Sequence, residues 1–242
     1  MKTLIIIPTY NERQNIEKLV KEILILHPQT QILIVDDNSP DGTGEIAEKM
    51  AKKYENIHVI HRLEKFGLGN ALKDGYRWTL ARNFDYILQM DADFSHNPAE
   101  ISQILNEIKF GAEIVIGSRY KDGFRVEGRS IFRTGLSYCA NLYARAVLGF
   151  NIYDATSGFR CFRGNILKEI DLSMLLSKGY AFQIEMTYAC YKKGYCIKEV
   201  PILFTRRKEG SSKFSLRIIV EAFFTVLRLR FLGYVNKDIS LN

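Results

Sequence analysis

The sequence predicts an α/β fold with a mainly parallel central sheet that is flanked by helices. Short apolar runs alternate with amphipathic segments of helical length through the first half of the 242-residue chain. Continuous apolar runs are typical of parallel strands buried on both faces, and helical connections between them form right-handed crossovers. Acidic or turn-forming residues follow several of the runs. They place polar groups at the carboxyl edge of the sheet, where folds of this class bind ligands.

Five strands with intervening helices are assigned in order from hydrophobic periodicity. The first strand is predicted at 3–8, and Asn11 with Gln14 indicates a capping box for the helix that follows. Asn97 and Pro98 are typical of the N-cap and first residue of a later helix. The other strands are expected at 31–35, 57–60, 85–90 and 114–117, and the other helices around 46–54 and at 70–82, 98–110 and 214–234.

Composition and charge narrow the function classes. Apolar residues make up 47% of the chain, which is enough for a full core. The four cysteines show no paired spacing, which argues against a zinc site or a disulfide framework, and no signal-peptide profile precedes the first strand, so we expect a cytoplasmic protein. Residues 1–100 hold 12 Lys and Arg against 15 Asp and Glu, whereas residues 101–242 hold 22 against 12. This basic surplus fits nucleic acid, an anionic membrane surface or a phosphorylated substrate.

Two carboxylates follow the fourth predicted strand. Asp91 and Asp93 are spaced i, i+2, and alternate residues of an extended segment face the same way, so both can approach one cation. Oxygen ligands of this kind suit Mg²⁺ or Mn²⁺, which complete their coordination with water and substrate phosphates. Two solvated turn acids beside a helix cap are the alternative interpretation.

Polar groups also follow three other strands of the predicted sheet. They are Pro8, Tyr10 and Glu12 after the first strand, Asp36 and Asp37 after the second, and Ser118 and Arg119 after the fifth. Each group alone would fit a turn or a helix cap, but together they indicate a nucleotide and metal site. Gly67-Leu68-Gly69 begins like a dinucleotide-binding motif, but it lacks the third glycine and lies in the third crossover, which makes that interpretation weak.

A series of short motifs runs along nearly the whole chain. Its segments are 8–12, 35–43, 65–69, 91–93 and 117–119, then Arg133 with Ser137, and 156–160, 183–186 and 210–213. The series resembles the inverting GT-A glycosyltransferases of family 2, and within them the dolichol-phosphate (polyprenol-phosphate) mannose synthases. The resemblance implies a GT-A fold, with a catalytic domain at 1–213 and a carboxyl-terminal amphipathic helix and tail at 214–242. Residues 1–119 would form the nucleotide and metal half, and 120–213 the acceptor half.

The resemblance also implies a role for each matching residue. Asp91 and Asp93 would hold the metal on the donor diphosphate, and Ser95, which stands where some relatives carry a metal-binding Gln, would reach it weakly or through water. The base and ribose would be held by Pro8, Tyr10, Glu12, Asp36 and Asp37. The acceptor phosphate would be gripped by Arg119, Arg133 and Ser137. A loop that closes over the donor would contribute Arg207, Ser212 and Lys213.

The implied reaction transfers mannose from GDP-mannose to dolichyl or polyprenyl phosphate, with Mg²⁺ or Mn²⁺ as cofactor. The departing diphosphate requires positive charge, which a divalent cation and guanidinium groups supply. A phosphate monoester with a second pKa of about 6 is already an anionic nucleophile, so no general base is required and direct displacement predicts inversion. A surface or capping role is accordingly expected for His96. Transfer of glucose or another hexose from a UDP-sugar to the same acceptor is the alternative.

The carboxyl-terminal segment indicates how a lipid acceptor would be reached. Residues 206–242 hold 8 Lys and Arg against 3 Asp and Glu, and charges interrupt the apolar pattern, so no apolar stretch is long enough to span a bilayer. A basic amphipathic helix can lie at the membrane interface, although a helix packed on the sheet fits the pattern equally well. We therefore expect a protein on the cytoplasmic face of a membrane, which docks peripherally or through a small membrane-anchor subunit.

Two other function classes fit the sequence less well. A nucleic-acid-binding protein would use the basic second half, but no RNA- or DNA-binding motif is present and the acidic edge would repel phosphates without a metal. Nucleic acid is therefore not an expected partner. A non-catalytic subunit with the same fold is disfavoured because the charged residues of the motifs are intact, namely Asp91, Asp93, Arg119, Arg133 and Lys213.

Overall fold

A computed structural model describes residues 1–128, 130–205 and 216–234 of the chain. Within them lies a seven-stranded sheet whose strands are β1 (Thr3–Thr9), β2 (Gln31–Asp36), β3 (Ile57–His61), β4 (Tyr86–Gln89), β5 (Ile114–Ser118), β6 (Arg160–Arg163) and β7 (Ile197–Pro201). The spatial order is β3-β2-β1-β4-β6-β5-β7. Strand β6 runs antiparallel to β4 and β5, and the other neighbouring pairs are parallel. The prediction of a mainly parallel sheet is confirmed.

Helices cover both faces of this sheet. They are α1 (Ile16–Leu26), α2 (Thr43–Lys53), α3 (Leu68–Leu80), α4 (Ile101–Lys109), α5 (Ile131–Leu148), α6 (Gly164–Glu169), α7 (Phe182–Lys192) and α8 (Leu216–Leu232). None of the helices in the described part of the chain is both long and apolar enough to cross a bilayer.

Alternate residues of the central strands supply two separate cores. Ile5 and Ile34 pack with α1, α2 and α4 on one face of the sheet. Leu4 and Val35 pack on the other face with α3, α5, α6, α7 and α8. This division follows from the two-residue period of a strand. It explains why the strands read as continuous apolar runs, since both faces of each are buried.

The antiparallel strand β6 decides which loop reaches the carboxyl edge. Arg160, its first residue, pairs with Gln89 at the end of β4 and with Ile116 near the end of β5. The loop just before β6 therefore lies at the same edge as the residues that follow β4 and β5. The sequence pattern gave no sign of this strand, because it is only four residues long and contains two arginines.

Several helix boundaries differ from the prediction. The capping box at Asn11 was wrong: Asn11 adopts a left-handed conformation, and α1 begins only at Ile16 after a turn in which the Glu12 carbonyl accepts the amide N–H of Asn15. The helix predicted at 98–110 is a 3₁₀ turn, Pro98–Glu100, followed by α4. Its predicted cap is confirmed, since Asn97 Oδ1 accepts the Ala99 N–H at 3.0 Å.

Candidate functional site

The two carboxylates after β4 lie in a tight loop that its own side chains hold. Asp93 is buried, and its Oδ1 accepts hydrogen bonds from the backbone N–H of Ser95 at 3.0 Å and from the Ser95 hydroxyl at 2.6 Å. Phe94 between them has a positive φ of 62°. The Ser95 hydroxyl proton is thus committed to Asp93. This contact fixes the orientation of the Asp93 carboxylate through Oδ1, independently of what Oδ2 binds.

His96 is buried and stabilises the same loop by a hydrogen bond to its backbone. The backbone N–H of Asp91 donates to His96 Nδ1 at 3.1 Å. The imidazole stacks on Phe159 with ring centroids 4.9 Å apart and meets Phe204 edge-on at 5.7 Å. Burial lowers the pKa of His96 below its ordinary value, which favours the neutral ring. The predicted surface role was therefore wrong. The packing partners lie far away along the chain, so local pattern carried no signal for them.

The loop before β6 packs directly against the first carboxylate. A Cβ atom on Gly158 would lie 3.1 Å from Asp91 Oδ1, so only glycine leaves the carboxylate its present room. Gln89 Nε2 donates to the Gly158 carbonyl at 3.0 Å, and the Ser157 hydroxyl donates to the Gly117 carbonyl at 2.6 Å. These bonds fasten the loop to β4 and β5.

Arg119 lies at the end of β5 in a buried ion pair. Its Nε and Nη2 donate to the two carboxylate oxygens of Asp154 at 2.7 and 2.6 Å, and Nη2 also donates to Thr156 Oγ1 at 2.6 Å. Burial opposes ionisation of both groups, but the mutual attraction outweighs it, so the pKa of Asp154 is lowered and that of Arg119 is raised. Asp154 was not among the predicted site residues. Its backbone N–H is in turn held by Glu199 at 2.8 Å.

Helix α5 is connected to this ion pair through one amide. Asn141 Nδ2 lies 3.3 Å from Asp154 Oδ1 and donates to Thr156 Oγ1 at 3.0 Å. Ser137 lies one turn before Asn141, and Arg133 one turn before Ser137, which puts the two predicted acceptor residues on one face of α5. Both are half-buried. The structure thus brings the face that carries Ser137 and Arg133 next to the element that holds Arg119.

The residues predicted to hold the nucleotide lie at the ends of β1 and β2. Asp36 accepts hydrogen bonds from Thr9 Oγ1 at 2.9 Å and from Ser39 Oγ at 2.6 Å. Asp37 accepts from the backbone N–H groups of Phe66 and Gly67 at 3.1 and 2.9 Å and pairs with Arg62. Both carboxylates therefore hold loops in place. Of the remaining members, Tyr10 lies under the ammonium of Lys65, Glu12 is buried, and Pro8 is half-buried in β1.

Strand order brings these residues and the acidic loop to one edge, because β1 lies between β2 and β4. The predicted residues Arg207, Ser212 and Lys213 lie outside the described residues.

A cavity of about 360 Å³ connects the polar edge with the helices. The residues that line it include several with polar or charged side chains: Asp91, Asp93, Ser95, His96, Arg119, Ser137 and Thr156. Apolar side chains from α5 and α8 also line it: Leu136, Ala140, Tyr143, Ile218, Ile219, Ala222, Phe223 and Val226. The cavity suits a ligand that has an anionic head and an apolar body.

The carboxylate oxygens of Asp91 and Asp93 suit a hard divalent cation, but they supply only part of its coordination shell. Within the residues that the structure describes, no cluster of three or more His, Cys, Asp or Glu side chains could hold a metal ion by itself. Asp91 and Asp93 supply carboxylate oxygens beside a cavity that is open to a ligand. Such a site is complete only with water and ligand oxygens, as is usual for Mg²⁺ or Mn²⁺ with a bound diphosphate.

Replacement of Asp154 by Asn should destabilise the protein strongly. Asp154→Asn leaves Arg119 as a buried cation without its counter-charge, so we expect the free energy of unfolding at pH 7 to fall by about 3–5 kcal/mol. Glu107→Gln is the matched control, because it breaks the exposed ion pair to Lys198. It should cost less than about 1 kcal/mol. Urea unfolding of both variants measures the difference.

The same comparison has a defined pH dependence. Asp154 has a lowered pKa in the folded protein, so its contribution is fully present above its unfolded pKa of about 3.9 and is lost as the pH falls through the folded value. The gap between the wild type and Asp154→Asn should therefore shrink below about pH 4. Equal stability of both proteins at pH 7 would contradict a structural role for the ion pair.

Comparison with solved structures identifies the fold. The chain superimposes on glucosyl-3-phosphoglycerate synthase from Mycobacterium tuberculosis with a TM-score of 0.69, 17% identity and coverage of 95% of this chain and 80% of that one. A mannosyltransferase from Pyrobaculum calidifontis, solved in complex with GDP-Man and Mn²⁺, gives a TM-score of 0.61 and 17% identity over 94% of this chain and 64% of that one. The predicted GT-A fold is confirmed.

Sequence comparison identifies the family. The chain is 44% identical over 237 residues to the polyprenol monophosphomannose synthase of Mycolicibacterium smegmatis, covering 98% of this chain and 89% of the relative. It is 41% identical over 228 residues to the undecaprenyl-phosphate mannosyltransferase of Micrococcus luteus, covering 94% of this chain and 93% of that relative. The resemblance to polyprenol-phosphate mannose synthases is thereby confirmed. Residues 4–171 match the family model for glycosyl transferase family 2, and the chain belongs to that family.

Proposed function

We propose that this chain transfers mannose from GDP-mannose to a polyprenyl phosphate, such as dolichyl phosphate, with inversion at the sugar carbon. The observation that carries the proposal is the cavity that runs from Asp91, Asp93 and Arg119 to the apolar faces of α5 and α8. A nucleotide-sugar alone would not need the apolar part. Two relatives named for polyprenol or undecaprenyl phosphate mannosylation, at 44% and 41% identity, support the same acceptor.

The acidic loop is the proposed site of the donor diphosphate. Mg²⁺ or Mn²⁺, when bound by Asp91 and Asp93, would neutralise the charge that develops on the departing diphosphate. The hydroxyl of Ser95 keeps the Asp93 carboxylate oriented. Because Gly158 has no side chain, the Asp91 carboxylate has room to pack against it. The base and ribose of the donor fit beside Pro8, Tyr10 and Glu12, with Asp36 and Asp37 holding the loops that shape this part of the edge.

The acceptor phosphate fits at Arg119, with Ser137 and Arg133 on the adjoining helix. A guanidinium binds phosphate oxygens in a fixed planar geometry, and Asp154 prevents the side chain of Arg119 from turning away. The phosphate monoester carries its own negative charge at neutral pH, so the reaction requires no protein base. One direct displacement on GDP-α-mannose would yield the β-linked lipid. Arg207, Ser212 and Lys213 keep the donor-binding role that the family resemblance implies, as a prediction outside the described residues.

A transfer assay with the purified full chain tests the proposal. It contains Mg²⁺ or Mn²⁺ and polyprenyl phosphate, with GDP-mannose and UDP-glucose offered in parallel. We expect a β-linked mannolipid from GDP-mannose alone, with the anomeric configuration read by NMR. Asp93→Ala should lower the rate by about 100-fold or more, because the departing diphosphate loses its charge neutralisation. Glu55→Ala, an exposed carboxylate at the amino end of β3, should retain the wild-type rate.

Each alternative outcome of that assay has a clear meaning. A glucolipid would keep the fold and mechanism but change the donor. An α-linked product would contradict single displacement. Nucleotide binding without any lipid product would point to a missing anchor subunit or to another acceptor, and absence of nucleotide binding would refute the whole proposal.

We also propose that α5 and α8 dock on the cytoplasmic face of a membrane, directly or through a small anchor subunit. Both helices expose large apolar side chains, which are Ile131, Phe132 and Leu142 on α5 and Val220, Phe224, Phe231 and Leu232 on α8. Basic residues in the second half of the chain would favour an anionic lipid surface. The proposed boundary at residue 213 makes α8 and the tail the membrane-interface element.

Vesicle sedimentation checks the direct mode of docking. The wild-type chain should bind vesicles that contain anionic lipid. Phe132→Ser with Phe224→Ser should weaken binding by about tenfold or more, because two aromatic rings that the membrane would bury are lost. Phe110→Ser is the control, since Phe110 is 86% exposed after α4, away from both helices. Equal binding by all three proteins would rule out these helices as the docking element.

A further inference from the structure

We propose that His96 binds a phosphate oxygen of the substrates through its Nε2–H group. This inference rests on the proposed function and adds a binding residue to the same site. It starts from a buried side chain that neither the metal nor the acceptor assignment uses. His96 is 1% exposed, yet it lines the cavity together with Asp93 and Arg119.

The hydrogen bond to Asp91 fixes the tautomer of the ring. A backbone N–H can only donate, so the nitrogen that receives it, Nδ1, must offer a lone pair. In a neutral imidazole the proton is then on Nε2. Phe159 and Phe204 pack against the ring and prevent it from turning over to exchange the two nitrogens. The orientation of the donor is therefore set before any ligand binds.

Nε2 is left for the cavity to satisfy. Among the described residues, no side chain or backbone group accepts a hydrogen bond from it. Nε2 itself keeps some contact with solvent. If it were fully enclosed, it would be a buried side-chain atom without a hydrogen-bond partner, and in the described part of the chain the one such atom is Glu100 Oε2. Water satisfies such a donor while the cavity holds no ligand, and a ligand oxygen that enters the cavity can take the place of that water.

The surroundings favour an anionic acceptor over a metal ion. A metal would need the lone pair of Nε2, which is absent while Asp91 donates to Nδ1. Arg119 lines the same part of the cavity and attracts anions, and the carboxylates of Asp91 and Asp93 would attract the cation of a metal diphosphate. Both the donor diphosphate and the acceptor phosphate present oxygens there. A hydrogen bond from His96 Nε2–H would stabilise one of these oxygens against repulsion by the carboxylates of the acidic loop.

Three substitutions separate the contacts of the ring. In His96→Asn the side-chain amide lies near the Nδ1 position, so an acceptor for Asp91 remains and the Nε2–H is lost. In His96→Gln the amide reaches the Nε2 position, so a donor remains. His96→Phe keeps only the stacking on Phe159. Thermal unfolding, Mn²⁺ affinity from electron paramagnetic resonance, GDP affinity with Mn²⁺ from calorimetry, and KM for polyprenyl phosphate are measured for each.

His96→Asn should bind Mn²⁺ within about twofold of the wild type but lose phosphate binding by about 10- to 100-fold. Loss of GDP affinity identifies the donor diphosphate as the partner, whereas a higher KM for polyprenyl phosphate at unchanged GDP affinity identifies the acceptor. His96→Gln should recover much of the loss, and His96→Phe should not. GDP affinity is measurable even if no mannolipid forms, so failure of the proposed reaction and failure of this inference are separate results.

Two results would overturn the inference. One is wild-type GDP affinity, KM and kcat in His96→Asn. The other is a loss of Mn²⁺ affinity as the main effect, which would make the ring a metal ligand. If His96→Asn does not fold, ¹⁵N NMR of the wild type decides: the Nε2–H signal of His96 should shift on addition of Mg²⁺ with GDP or of a short isoprenyl phosphate. A signal that neither addition moves would refute the contact.

Discussion

The buried ion pair between Arg119 and Asp154 is the interaction on which the site depends. Isolated burial of either charge would be prohibitive, so each is stable there only because the other is present. The pair joins the end of β5 to the loop before β6, and Asn141 attaches α5 to the same carboxylate. Glu199 holds the backbone of Asp154 from β7. Four parts of the fold thus meet at this ion pair, and the proposed phosphate-binding guanidinium is oriented by it.

The antiparallel strand β6 makes this arrangement possible. A wholly parallel sheet would send the loop before each strand to the amino edge, away from the ligand. Because β6 is reversed, residues 154–159 reach the carboxyl edge, where Gly158 packs against Asp91 and Phe159 packs against His96. The acidic loop after β4 and the guanidinium after β5 consequently share one cavity. Helices α5 and α8 extend that cavity with apolar side chains.

The local sequence pattern was sufficient to predict those elements that are determined by neighbouring residues. The continuous apolar strands, the Asn97 cap and the carboxylates at strand ends follow from period and turn chemistry. The family motifs singled out Arg119, Arg133 and Ser137, whose roles stay predictions. The ion pair of Asp154, the aromatic packing of His96 and the backbone contact of Glu199 could not be predicted, because each is made with residues that are distant in sequence. A buried histidine and an exposed one look alike in a single sequence. Asp36 and Asp37 show the reverse case, since their strand-end position was clear but their hydrogen bonds to Ser39, Phe66 and Gly67 were not.

The central claim is that one cavity receives a metal diphosphate at its acidic end and a lipid phosphate at Arg119. The most direct measurement is a crystal structure of the full chain with Mn²⁺, GDP and a short isoprenyl phosphate, in which anomalous scattering locates the metal. We expect a manganese peak on the carboxylates of Asp91 and Asp93, the lipid phosphate on Arg119, and the isoprenyl chain between α5 and α8. A manganese peak remote from both carboxylates, or an isoprenyl phosphate bound outside this cavity, would contradict it.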